Sequence, residues 1–183
     1  MGSFRFVGYA IVSADGMLAT ADRVMPQSLK VPGDQKFFAA GLDATDLIVH
    51  GRNSYEDQPR SPQRKRVFVT QSVTAPIRDR DNPNATLWNP AHALFEEAAK
   101  VAGVAGGTVA AIGGTSVFDM FLDRYNTFFL SQAPHVRLPG GVPVFSGIPE
   151  RSPEEILTAH GLKATSRRVI DAAHDATVTE WTR

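Results

Sequence analysis

Ala111-Ile112-Gly113-Gly114-Thr115-Ser116-Val117-Phe118 is the stretch on which the fold turns. The apolar run Val109 to Ile112 reads as a buried strand, two glycines follow it, and a helix is expected to start behind them. Backbone without Cβ atoms lets a ligand come close, and the first turn of a helix offers unpaired N–H groups to an anion. Thr115 and Ser116 add hydroxyl donors. The arrangement suits a diphosphate. It also suits a tight strand-to-helix turn capped by Thr115.

A second strand end repeats the pattern. Leu47-Ile48-Val49-His50 leads into Gly51-Arg52-Asn53-Ser54-Tyr55, so a glycine is followed at once by an arginine and a hydroxyl. The guanidinium fork matches phosphate geometry. Two such sites at the carboxyl ends of parallel strands suggest one dinucleotide lying across them. A surface arginine beside a short capped helix is the alternative for this segment alone.

Leu47 to Val49, Val67 to Val69 and Val109 to Ile112 are continuous rather than alternating in apolarity, as strands buried on both faces are. A first strand is expected over Phe4 to Val12. Helices are expected from Pro90 to about Ala102, with Asn89 as N-cap, and after Gly114, with Val117, Phe118, Phe121 and Leu122 on the apolar side. A shorter helix starts near Asp34, with Phe37 and Phe38 directed inward, and another covers Pro153 to about His160. Arg167 to Ile170 and Thr177 to Trp181 flank Asp171-Ala172-Ala173-His174-Asp175 and read as a closing antiparallel hairpin. The expected fold class is α/β: a mixed, mostly parallel sheet flanked by helices, with a C-terminal antiparallel hairpin, in a single domain over residues 1–183.

Composition narrows the chemistry. The 183 residues carry 19 Lys+Arg against 19 Asp+Glu, so no global field draws the chain to nucleic acid or to a membrane. There is no cysteine, which excludes disulfides and thiolate catalysis. The start MGSFRFVGYAIV lacks the features of a signal peptide, and no run approaches the ~20 apolar residues of a membrane span, so a cytoplasmic protein is expected. The five histidines are scattered without metal-ligand spacing, and no metal is expected. There is no Gly-x-Gly-x-x-Gly loop, no Tyr-x-x-x-Lys pair and no Gly-x-Ser-x-Gly elbow.

Asp34, in Val31-Pro32-Gly33-Asp34-Gln35-Lys36-Phe37-Phe38, has two readings. An acid at a helix start is a dipole partner. A carboxylate on a pocket wall beside aromatics can also hydrogen-bond an amino-pyrimidine edge and favour protonation of the ring.

Taken in order, these segments resemble the dihydrofolate reductase superfamily, which includes the reductase domain of bacterial riboflavin biosynthesis. Ser13-Ala14-Asp15-Gly16-Met17-Leu18-Ala19 is similar to the Ser-Leu-Asp-Gly-x-x-Ala signature of the riboflavin-type branch, and Asp57 and Pro59 echo the same branch. Met25-Pro26 followed by Pro32 to Phe38 is similar to the mobile loop and carboxylate helix of the folate branch. That branch has a tryptophan directly after Met-Pro, where this chain has Gln27.

The resemblance implies an NADPH-dependent reductase that transfers hydride to a C=N-type bond of a pyrimidine or pterin, a small heterocyclic substrate. The riboflavin-type reading comes first. A true dihydrofolate reductase is the alternative, and a non-catalytic NADP-binding module is a third. The implied cofactor residues are Asp15, Gly16, Gly51, Arg52, Asn53, Ser54, Thr70, Gln71, Ile112, Gly113, Gly114, Thr115, Ser116 and Val117. Asp34 is the implied catalytic residue, with Ile11, Phe38, Ile112 and Ser131 around the substrate. Arg64-Lys65-Arg66 lies where the folate branch keeps an arginine for the glutamate tail, and a solvated cluster is the reading taken here. The riboflavin-type branch further implies a homodimer.

Overall fold

A computed structural model of the chain describes residues 2–54 and 56–183. In order, the elements are β1 (Phe4–Ser13), β2 (Met17–Ala19), α1 (Pro32–Asp43), β3 (Leu47–His50), β4 (Arg66–Val69), β5 (Ile77–Arg78), β6 (Ala85–Trp88), α2 (Phe95–Val101), β7 (Gly107–Ala111), α3 (Thr115–Met120), β8 (Tyr125–Ala133), β9 (Val142–Pro143), α4 (Pro153–Ala159), β10 (Lys163–Asp171) and β11 (Ala176–Thr182). Nine strands form one sheet in the order β10-β11-β8-β1-β7-β3-β4-β6-β5. The six strands from β8 to β6 run parallel, and β11, β10 and β5 supply the antiparallel edges. β2 and β9 pair separately.

Burial explains why the central strands are apolar throughout. All four residues of β3 are buried, and Val109, Ala110 and Ala111 of β7 have no exposure. One face packs on α2, α3 and α4 through a core that includes Phe6, Val49, Phe95, Phe118, Phe128 and Leu157. Gly8 makes room for this packing, since a Cβ there would stand 2.2 Å from the Phe128 ring. The other face carries α1, where Leu42, Ile48, Ala110 and Ile112 pack with Tyr9 and Phe38. A smaller group, Ile11, Leu29, Val31, Ala133 and Ala176, joins the start of α1 to the C-terminal hairpin.

Two expectations need correction. The helix expected from Pro90 begins only at Phe95, with Leu94 as its exposed N-cap. Asn89 Oδ1 does accept the Ala91 N–H at 3.1 Å, but its amide also donates to the carbonyls of Gln71 and Val73, and the Trp88 indole donates to Ala93 O at 2.9 Å, so the segment 89–93 is held as a turn. Glu97 then accepts the Leu94 N–H and starts the helix. The strand β8 stands between β1 and β11 although no strand was expected there. Among the described residues no helix is long and apolar enough to cross a membrane.

Candidate active site

A cleft of about 1160 Å³ opens at the carboxyl ends of the parallel strands, where ligands sit in open α/β sheets. The strand ends themselves build one half of it. The Gly51 N–H donates to Gly113 O at 2.7 Å, and the Ile112 N–H donates to Val49 O at 3.1 Å, so the two glycine turns are one unit. Gly113 has φ +108°, and a Cβ there would stand 2.9 Å from the Phe118 ring, so only glycine fits. Gly114 stays open towards the cleft, with Ser54 Oγ 3.4 Å from where its Cβ would be. Thr115 Oγ1 donates to Pro143 O at 2.5 Å and fixes β9 over this turn.

Around the unit stand Arg52, Asn53, Ser54, Thr70, Gln71 and Ser116, all lining the cleft. Among the described residues the Arg52 guanidinium makes no ion pair and no hydrogen bond, and it is exposed. Among the described residues, an unpaired cation at Arg52 and an unbonded hydroxyl at Ser54 line the same cleft as the start of α3. These groups fit the diphosphate of a dinucleotide.

The other half lies against α1. Asp34 is the third residue of that helix and only 9% exposed. Burial pushes its carboxyl up to about 6, against the opposing pull of the Ser131 hydroxyl. Ile11, Phe38, Ile112 and Ser131 line the cleft beside it. The helix start is seated by the C-terminal hairpin: Gly33 N–H donates to Asp171 Oδ2 at 3.0 Å, and a Cβ on Gly33 would collide with Ile170 O at 2.0 Å. Asp171 is in turn held by His174, whose Nδ1 lies 2.8 Å from Oδ1.

Several implied positions are placed off the cleft wall. Asp15 is spent on structure: it accepts from the Ser13 hydroxyl and from the Leu138 N–H, tying the β1–β2 turn to the segment after β8. Gly16, with φ +83°, lies under Ile148 and Pro153. Gly113 and Val117 are buried behind the open turn. Leu18 and Ala19 of the same signature do reach the cleft. Tyr55 lies outside the described residues.

The solvated reading of the arginine cluster is corrected. Arg66 is 1% exposed, and its Nη2 donates to Glu56 Oε1 at 2.8 Å and to Ser61 O at 2.8 Å. Arg64 donates to Glu56 Oε2 at 3.1 Å and to Asp43 Oδ1 at 2.8 Å. Only Lys65 is exposed, with Nζ on Gly103 O. His50 completes the group: Nδ1–H donates to Gly51 O at 2.9 Å and Nε2 accepts from Arg66 at 3.3 Å. Burial lowers the His50 pKa to about 4, which leaves the ring neutral.

Sequence reasoning missed an aromatic wall. Tyr9 stacks on Phe129 with centroids 5.1 Å apart, and Phe37 meets Phe129 edge-on at 5.3 Å. All three line the cleft. The signal was present as alternation, because Tyr9 precedes Ile11 by two and Phe129 precedes Ser131 by two, which puts each pair on one face. Gly41 admits this wall under α1, since a Cβ there would stand 2.5 Å from the Tyr9 hydroxyl.

Neither a protein-family model nor a curated protein matches the sequence. Solved structures do match. A protein provisionally assigned to riboflavin biosynthesis in Shewanella sp. PV-4 superposes with a TM-score of 0.69 at 19% identity, covering 98% of this chain and 98% of that one. Dihydrofolate reductase from Enterococcus faecalis, complexed with NADP(H) and RAB-propyl, superposes with a TM-score of 0.64 at 13% identity, covering 98% of this chain and 96% of that one. With the sheet order, the paired-glycine turn and the α1 carboxylate already in view, these superpositions show that the chain has the dihydrofolate-reductase-like fold.

Proposed function

We propose that the chain is an NADPH-dependent reductase acting on a C=N-type bond of a pyrimidine or pterin. One observation carries the reading. A single cleft joins an uncommitted cation at an open glycine turn to a buried carboxyl whose pKa is about 6. A binding module for the nucleotide alone needs the first of these and not the second.

Arg52, Asn53, Ser54, Gly114, Thr115 and Ser116 would hold the diphosphate of NADPH, with Thr70 and Gln71 towards the adenosine ribose and its 2′-phosphate. When bound, the cofactor supplies a hydride to the carbon of the C=N bond, and the nitrogen then takes a proton. Ile11, Phe38 and Ile112 would clamp the flat ring, which is how positioning lowers the barrier. Asp34 Oδ would accept hydrogen bonds from the amino-pyrimidine edge and supply the proton to the imine nitrogen. A carboxyl poised near the working pH is suited to that transfer. The segment between β2 and α1 would cover the reacting atoms, since Ala21, Arg23 and Met25 line the cleft.

The riboflavin-type substrate, a ribosylaminopyrimidine phosphate, is the first reading on the Ser13 to Ala19 signature. Dihydrofolate is the second, and the burial of Asp34 inside α1 favours it. Loss of NADPH absorbance with each substrate in parallel decides between them. Turnover of the pyrimidine alone supports the first, and turnover of dihydrofolate blocked by methotrexate supports the second. Tight NADPH binding with no turnover of either leaves a nucleotide-binding module.

A further inference from the structure

The helix that carries Asp34 has no cap of its own. The N-cap of α1 is Val31, a side chain without an acceptor, and Pro32 at the first position has no N–H. The first free donor is the Gly33 N–H, and Asp171 Oδ2 meets it from 138 residues away at 3.0 Å. The two oxygens of Asp171 divide the work. Oδ1 closes its own turn, with the His174 N–H at 3.2 Å and the His174 ring at 2.8 Å. Oδ2 reaches out to the helix.

A second contact lies one turn further on. The Arg168 guanidinium stands over the Phe37 ring, 5.2 Å from its centre. Gly33 and Phe37 are four residues apart and share one stripe of α1, while Arg168, Ile170 and Asp171 all belong to β10. At Gly33 the approach is backbone on backbone, with Ile170 O where a Cβ would be. Asp34 and Phe38, also four apart, form the neighbouring stripe, and both line the cleft. The seating of the first stripe on β10 therefore sets whether the second faces the cleft. The influences on the Asp34 carboxyl are burial and the Ser131 hydroxyl of β8, and no charged side chain is among them. Asp171 thus reaches Asp34 through the helix start and not through its field.

We infer that Asp171 is a positioning residue for Asp34: from the end of β10 it sets the rotation of α1 that turns the Asp34 carboxyl into the cleft. The inference rests on Asp34 as the ring-binding carboxyl of the proposed function. It makes the C-terminal hairpin part of the catalytic apparatus, although no atom of Asp171 lines the cleft.

The test reads the Asp34 carboxyl directly, by carbon-13 NMR titration of the ligand-free protein, with Asp34→Asn to assign the signal. The wild type should titrate at about 6. In Asp171→Ala the first turn of α1 loses its anchor and water reaches the carboxyl, so the midpoint should fall by about one pH unit or more. Asp171→Ser keeps a hydroxyl for its own turn but is too short for Gly33, and it should titrate as the Ala variant does, which separates the helix contact from the fold of the hairpin. Asp171→Asn keeps an oxygen for the Gly33 N–H and offers its amide to a neutral His174 ring, so it should stay within about 0.3 pH units of the wild type. In turnover, the Ala and Ser variants should lose about tenfold in kcat with the KM for NADPH unchanged, and the Asn variant should recover it. Ala and Ser variants that titrate with the wild type overturn the inference, and so does an Asn variant that titrates with them. A wild-type midpoint near 3.8 overturns it together with the buried carboxyl of the proposed function. If the titrations run as expected and no pterin or pyrimidine is turned over, the hold of Asp171 on Asp34 stands and the reductase reading alone fails.

Discussion

The two halves of the cleft are built from different material. At the glycine turns the backbone does the work, the arginine is exposed, and its charge has no partner among the described residues. Around α1 side chains do the work, the carboxyl is buried, and the nearby arginines are consumed by Glu56 and Asp43. The first half is open to a fully charged ligand in water. The second half is arranged so that charge is costly unless paired, which is what lets a carboxyl keep its proton near neutral pH.

The contrast is broken most severely at Asp34. In the proposed reductase, Asp34→Asn removes the proton source and should lower kcat by about 10²-fold or more, with NADPH affinity unchanged by titration calorimetry. Equal turnover would take Asp34 out of the mechanism. Next comes the buried network. Arg66→Met leaves Glu56 Oε1 and Ser61 O without their buried donor and should cost about 3–5 kcal/mol in urea unfolding. A loss near zero would mean that the network is dispensable.

The pH dependence of stability sharpens the same comparison. The Asp34 pKa is raised from 3.8 to about 6, so its contribution is fully present below about pH 4 and is lost as pH rises through about 6. The His50 pKa is lowered from 6.5 to about 4, so its contribution is present above about pH 6.5 and is lost as pH falls through about 4. Each effect is about 3 kcal/mol at its limit, and the two oppose one another over the same window. The wild-type unfolding free energy should therefore be nearly flat there. Asp34→Asn should be more stable than the wild type at pH 8 and should lose stability on acidification. Parallel curves for wild type and variant would contradict the buried-carboxyl assignment.

The smallest effect belongs to the open half. Arg52→Ala should weaken NADPH by about tenfold, roughly the value of one charge-assisted phosphate contact, and should weaken NADH equally, since both carry the diphosphate. Weakening of NADPH alone would mean that Arg52 meets the 2′-phosphate and not the diphosphate.

The same division governs how much could be read from the sequence. The glycine turns were legible because their signals are local: a buried strand, two glycines and hydroxyls in eight residues. The start of α2 misled because Asn89 does cap locally, through Oδ1 on the Ala91 N–H, yet the turn it opens is pinned by its amide on carbonyls 16 and 18 residues away and by the Trp88 indole on Ala93 O. Burial of Arg64 and Arg66 was not legible for a similar reason, since a run of three basic residues looks solvated until Glu56 and Asp43 fold against it. Asp34 was legible as a candidate, but its seat on Gly33 and Asp171 joins residues 138 positions apart.

The most direct test of the reductase reading is transfer of deuterium from NADPH labelled at the hydride position, followed by mass spectrometry of the ring product. The account expects one deuterium on the reduced carbon of a pterin or pyrimidine, lost in Asp34→Asn. Saturable NADPH binding without label transfer to any such ring would contradict it, and would leave a cleft that holds the nucleotide and does no chemistry.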